Sequence, residues 1–275
     1  MRADPQTLQA HAAFLRTLPP LPISPRAEAY LRSGHEVALE HRGQAIFARR
    51  FDAGPRKALL VHGVNGRASQ WVKLASRLQA AGITPVLFDA PGHGFTGGEQ
   101  TDTDLSAEVI QAVVERVAGV DIAIAHSFGN AWLYRALAKG LRVERLVTLC
   151  GPARARYIVD QHVQRCRLSP EQAQAFCGLL EARHGTDFWQ AYSPAQIARQ
   201  LETAALIVHD RADSIIQYAQ ALELRAAFAQ AELLSTERLG HFDLLKDDQV
   251  IAAILAFVDG APASDVARPD AAAPG

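Results

Sequence analysis

Asp121-Ile122-Ala123-Ile124-Ala125-His126-Ser127-Phe128-Gly129-Asn130 changes character twice. Residues 121–125 form a short apolar run, the kind that suits a strand buried on both faces. From Asn130 to Lys139 the spacing is helical. Between them, Ala125-His126-Ser127-Phe128-Gly129 centres a serine in a tight turn whose flanks must be small because the backbone there is strained. Gly129 meets that need, and Ala125 stands where such turns usually carry glycine. Strand, sharp turn, helix is the arrangement that lifts a hydroxyl clear of a sheet and aims it at a substrate. A serine with small neighbours also serves as a plain helix N-cap, so its partners must come from the rest of the chain.

Working outward, strand and helix patterns alternate. Toward the N-terminus, residues 84–88 and Ala58-Leu59-Leu60-Val61 read as strands. Residues 69–81 and 105–117 read as helices, the first with Trp71, Leu74, Ala75 and Leu78 on one face. A hairpin is expected before them, strands 37–40 and 45–51 around His41-Arg42-Gly43-Gln44. Toward the C-terminus, strands are expected at 146–149, 205–208 and, weakly, at Leu233-Leu234, with helices at 215–228 and 244–257. This alternation predicts an α/β fold, a mostly parallel central sheet with helices on both faces. A helical stretch, 152–200, interrupts it and should cover the carboxyl end of the sheet. The expected organisation is an N-terminal helix and proline-rich linker (1–34), a main domain (35–259) with its helical insertion at 152–200, and a disordered Ala/Pro/Asp-rich tail (260–275).

The 275 residues are enough for one large domain, and 49% hydrophobic content is ordinary for a soluble protein. A net charge of −1 gives no argument for nucleic acid or an anionic membrane. No apolar stretch is long enough to span a bilayer. Residues 1–17 lack the continuous apolar segment of a signal peptide and read as a short amphipathic helix. Cys150, Cys166 and Cys177 are odd in number and lack metal-ligand spacing, so free thiols in a reducing cytoplasm are expected. Cys150 ends an apolar run and reads as core.

Sites in open parallel sheets form at the carboxyl ends of strands. His62-Gly63-Val64-Asn65-Gly66 follows one strand and Asp89-Ala90-Pro91-Gly92-His93-Gly94 the next. The Ser127 turn, His209-Asp210-Arg211-Ala212-Asp213 and Leu239-Gly240-His241 follow others. A nucleophile, an acid and a base thus occur at strand ends in the order Ser, Asp, His. Asp210 and Asp213 both qualify as the acid, and Asp213 also reads as the N-cap of a helix from Ser214. Asp243 would be aimed away by its own helix. His62, His93, His126 and His209 read as structural or pocket-lining, without metal-binding spacing.

This constellation resembles the α/β-hydrolase superfamily over about residues 45–257, and among its members bacterial serine hydrolases with a helical cap. The resemblance implies Ser127 as nucleophile, His241 as base and Asp213 as acid. It implies backbone N–H groups of Val64 and Phe128 as the oxyanion hole, with no cofactor and no metal. Two positions depart from the pattern, Ala125 for the first elbow glycine and Asp210 where glycine is frequent. The implied chemistry is hydrolysis of an acyl bond through an acyl-enzyme. The lead substrate is a small, apolar ester, and an acyl-CoA or acyl-carrier thioester is the alternative, suggested by six Arg and no Lys in residues 152–200. The same scaffold also supports C–C hydrolases, lyases and proteins without chemistry. Oligomeric state is open.

Overall fold

The structure, a computed structural model, describes residues 4–15 and 22–262. The strands are β1 (His35–Glu36), β2 (Glu40–His41), β3 (Gln44–Ala45), β4 (Ala48–Arg50), β5 (Lys57–Val61), β6 (Thr84–Phe88), β7 (Ile122–His126), β8 (Arg145–Leu149), β9 (Ala204–Asp210) and β10 (Ala231–Thr236). Eight of them form one sheet in the order β1-β4-β6-β5-β7-β8-β9-β10. β1, β4 and β6 pair antiparallel. From β6 through β10 every pairing is parallel. The expected mostly parallel sheet is therefore the observed one.

The helices are α1 (Pro5–Leu15), α2 (Pro25–Ser33), α3 (Val72–Ala80), α4 (Thr103–Arg116), α5 (Gly129–Ala138), α6 (Ala155–Arg165), α7 (Pro170–His184), α8 (Phe188–Ala191), α9 (Pro194–Ala198), α10 (Ala219–Ala227) and α11 (Asp248–Val258). Successive strand residues point to opposite faces, so each central strand feeds two cores. Leu59 and Val61 of β5 pack with Val113 of α4, Trp132 and Leu133 of α5, and Leu224 of α10. Ala58 and Leu60 pack on the other face with Leu74 and Leu78 of α3 and Ile254 and Phe257 of α11. Burial on both faces is why these strands read as unbroken apolar runs. Trp71, Leu74, Ala75 and Leu78 are buried together, as their spacing predicted. No helix among the described residues is long and apolar enough to cross a membrane.

Local chemistry moved several expected boundaries. The hairpin closes over Arg42 and Gly43 alone, with φ of 51° and 77°, and pairs Glu40 with Ala45 and His41 with Gln44. Positive φ at both central residues gives the turn whose twist matches the strands. Ala48–Arg50 leaves the hairpin and joins the large sheet. The helix read at 215–228 begins only at Ala219, because the Asp213 carboxylate holds the N–H groups of Ile215 and Ile216 in a turn. The helix read at 244–257 is two pieces, a 3-10 turn (Asp243–Leu245) and then α11, which starts where Asp247 accepts from the N–H groups of Gln249 and Val250. Residues 18–21 of the proline-rich stretch and 263–275 of the tail lie outside the described residues.

α6 to α9 lie between β8 and β9 and carry a small core of their own, Val159, Phe176, Leu180, Phe188 and Tyr192. α1 packs on it, its Ala10 carbonyl accepting from His162 Nε2 at 2.9 Å and its Phe14 ring 4.9 Å from the His162 ring. Asp104 of α4 ties this segment to the main body. It meets Arg135 Nε of α5 at 2.9 Å, Lys139 Nζ just past that helix at 2.8 Å, His184 Nδ1 at 3.3 Å, and the Tyr192 hydroxyl. Burial raises the Asp104 carboxyl, but the His184, Lys139, Tyr192 and Arg135 donors outweigh it and hold it well below the usual carboxylate range.

Candidate active site

The parallel strands end on one edge, and the loops after β5, β6, β7, β9 and β10 converge there. Ser127 follows β7 with φ of 55°, a left-handed conformation for a residue with a side chain. Its N–H donates to Leu149 O at 2.9 Å, and its carbonyl accepts from both Asn130 N (3.1 Å) and Asn130 Nδ2 (3.0 Å). Two glycines make room for this turn. A Cβ on Gly129 would lie 2.2 Å from His62 O, and one on Gly63 would lie 2.8 Å from Ser127 Cβ. The segment after β5 therefore runs directly against the serine. Ala125 is fully buried in β7 and adopts no positive φ, so glycine is not required at that position.

His241 Nε2 lies 2.9 Å from Ser127 Oγ, and His241 Nδ1 lies 2.7 Å from Asp213 Oδ2. A carboxylate accepts only, so Nδ1 carries the proton and the Nε2 lone pair faces the serine hydroxyl. Asp213 Oδ1 accepts from Ile215 N at 2.8 Å and Ile216 N at 2.9 Å. Burial raises the Asp213 carboxyl, but hydrogen bonds from His209, His241 and those two amides hold it well below its ordinary range.

The rival acid is oriented elsewhere. Asp210 accepts from Ala212 N (2.9 Å), Thr236 Oγ1 (2.7 Å) and Leu239 N (3.0 Å), joining the loops after β9 and β10. Asp243 is exposed at the start of its 3-10 turn. Val64 lies on the segment after β5, and Phe128 directly follows Ser127 as the residue before α5. Neither backbone N–H donates to another described residue.

The other histidines near the site are held by backbone. His62 Nδ1 donates to Gly63 O at 2.8 Å and its Nε2 accepts from Ala90 N at 3.0 Å. His93 Nδ1 donates to Pro91 O at 2.9 Å. His126 Nε2 donates to His241 O at 2.8 Å, and His209 Nε2 to Ile216 O at 2.8 Å. Burial pushes His62 and His93 down to about 4 and His126 to about 3. In the unfolded chain they bind a proton near pH 6.5, so over the window from about 6.5 down to about 3 the unfolded state holds more protons. Stability contributed by these neutral rings is complete above that window and is lost as pH falls through it. Melting temperature should therefore decline below about pH 6.5, before ordinary carboxylates titrate, and His62→Gln should flatten the decline. A melting temperature constant between pH 7 and 4.5 would contradict this.

Cys150, read from sequence only as core, sits at the end of β8 with φ of 45°, its thiol against the Asp213 carboxylate. Burial and the neighbouring negative charge push the thiol well above its ordinary range. Donor atoms of Cys150, Asp213 and His241 all lie within 4.8 Å of one another, compact enough to hold a metal ion. The carboxylate and imidazole of that set are already paired with each other. The signal available in the sequence was position, since Cys150 follows a strand at the same edge as Ser127.

Large apolar side chains are exposed on these loops. Val64, Phe95, Ile215 and Phe242 are 39%, 50%, 48% and 58% exposed, each on a strand-end loop. Phe242 lies 4.9 Å from the His241 ring, and the Arg67 guanidinium is 4.6 Å from the Phe95 ring.

A sequence model of the alpha/beta hydrolase family matches residues 58–254. None of the curated proteins matches in sequence. Many solved structures share the fold. An esterase from Exiguobacterium antarcticum superposes with a TM-score of 0.62 at 16% identity, covering 82% of this chain and 98% of its own. An esterase from Pyrococcus furiosus gives 0.67 at 13% identity, covering 89% and 97%. A meta-cleavage product hydrolase from Pseudomonas fluorescens IP01 gives 0.60 at 16% identity, covering 82% and 96%.

Proposed function

This chain belongs to the alpha/beta hydrolase family, and from that premise we propose that it is a serine hydrolase that cleaves an ester of a small, apolar acyl or alkyl substrate. The observation that carries the reading is the unbroken path from Asp213 through His241 to Ser127, with links of 2.7 and 2.9 Å. A serine hydroxyl is a poor nucleophile at neutral pH. His241 takes its proton as Oγ attacks the carbonyl carbon, and the ionised Asp213 stabilises the imidazolium and fixes its tautomer. The N–H groups of Val64 and Phe128 receive the oxyanion, worth about 3 kcal/mol per donor. His241 then protonates the leaving alcohol, leaving an acyl-Ser127 ester. Water deprotonated by His241 hydrolyses that ester and restores the serine. No step needs a metal ion or cofactor.

The exposed apolar residues Val64, Phe95, Ile215 and Phe242 support an apolar substrate, because large apolar side chains are left exposed on the same strand-end loops that carry the reactive groups. α6 to α9 act in this reading as a helical cap, linked to the site where the Tyr157 hydroxyl accepts from Gln217 N at 3.0 Å. The cap arginines give less support to an anionic thioester carrier. Arg154, Arg156 and Arg183 are paired with Glu223, Asp160 and Asp102. The free thiols of Cys150, Cys166 and Cys177 suit a reducing compartment.

A fluorophosphonate probe and a panel of p-nitrophenyl esters with matched thioesters test the assignment. Labelling and fastest turnover on apolar oxygen esters are expected. A kcat/KM higher on thioesters would replace the esterase reading with a thioesterase one. Folded protein that neither takes the probe nor turns over any ester would sink it.

A further inference from the structure

We infer that His126 is the positioning residue for the base, holding the His241 backbone so that its ring meets both Ser127 and Asp213. This rests on the reading of His241 as the base. His241 lies between Thr236, where β10 ends, and Asp243, where a 3-10 turn begins. No strand or helix hydrogen bonds therefore fix its peptide, and side chains from other elements must do so. Asp210 anchors the near side of the loop, through Thr236 Oγ1 and Leu239 N. His126 anchors the base itself, donating from Nε2 to His241 O at 2.8 Å.

The anchor is built to be rigid. His126 is the last residue of β7, paired in register with Leu149 of β8, and only 2% exposed. With the proton on Nε2, its Nδ1 is an acceptor and faces Gln70 Nε2 at 3.5 Å. Its ring lies 4.7 Å from the His241 ring and 6.4 Å from Trp71, which it meets edge-on. Ser127 is the next residue. One strand end thus carries the nucleophile through the backbone and the base through the His126 side chain, which sets the distance between them. Burial, reinforced by the neighbouring His241 and His62 rings and outweighing the opposing pull of the Asp213 carboxylate, keeps the His126 ring neutral. When His241 accepts the serine proton, no second cation stands against it. A base displaced by about 1 Å costs on the order of a hundredfold in rate, so the anchor is catalytically consequential although it touches no reacting atom.

His126→Phe fills the same space without a donor, and His126→Gln restores an N–H. With p-nitrophenyl acetate, His126→Phe should lower kcat by about 10- to 100-fold and leave KM within about twofold. Its fluorophosphonate labelling rate should fall in parallel, and His126→Gln should recover most of both losses. Circular dichroism melting checks that each variant is folded, and His126→Leu replaces the Phe variant if that one fails to fold. A folded Phe or Leu variant with wild-type kcat, or a Gln variant as slow as Phe, would overturn the positioning role. Wild-type protein that takes no probe and hydrolyses no ester would overturn the hydrolase reading as well, which separates the two failures.

Discussion

Ser127→Ala should lower kcat/KM on p-nitrophenyl esters by about 10^4- to 10^6-fold and abolish fluorophosphonate labelling, the magnitude seen when a triad nucleophile is removed. His241 and Asp213 remain paired in this variant, so the loss isolates the hydroxyl. Ser127→Gly should be equally inactive but more stable than Ser127→Ala. The residue sits at φ of 55°, where a side chain costs about 1 kcal/mol relative to glycine. For a chain of this size that is a difference of about 2–4 °C in melting temperature. Two dead variants with different melting temperatures would show that the turn stores strain and that activity depends on the hydroxyl rather than on stability. Residual activity near wild type in either variant would remove Ser127 from the mechanism.

Asp213→Asn should cost about 10^4-fold in kcat, because an amide in place of the carboxylate no longer fixes the Nδ1–H tautomer or stabilises the imidazolium. Asp213 Oδ1 also holds Ile215 N and Ile216 N, so the amide oxygen stays on those donors and turns the NH2 group toward His241. Asp210→Asn should behave differently. Its carboxylate accepts from Ala212 N, Thr236 Oγ1 and Leu239 N, and weakening those bonds lowers the melting temperature while kcat falls less than about tenfold. The reverse order of effects on kcat would assign the acid to Asp210.

The two aspartates illustrate why local reading stopped where it did. They lie on one loop at a strand end, and both are chemically suited to orient a histidine. What separates them is which carboxylate the His241 ring meets, a contact across 28 residues of sequence. The apolar spacing of residues 215–228 was a genuine helical signal, but the Asp213 carboxylate competes for the first backbone N–H groups and delays the helix to Ala219. His126 read only as structural or pocket-lining and Cys150 as core because their partners, His241 and Asp213, arrive from distant loops. The paired charges of residues 152–200 were likewise invisible in composition, which counts six arginines without showing that Glu223, Asp160 and Asp102 engage three of them.

From the sequence alone came the α/β alternation, the buried parallel strands, the strained serine turn, and Ser, Asp and His at strand ends in that order. Each is local, set by side-chain periodicity, backbone preference and turn chemistry over a few residues. The tertiary structure alone set Asp213 rather than Asp210 at 2.7 Å from the His241 ring, brought His241 to 2.9 Å from Ser127 across 114 residues, and set His126 behind it. Hydrogen bonds of this length form only when two loops are placed within a few tenths of an ångström. That placement comes from the register of β7, β8, β9 and β10 in the packed sheet, a property of the assembled core that no single segment encodes.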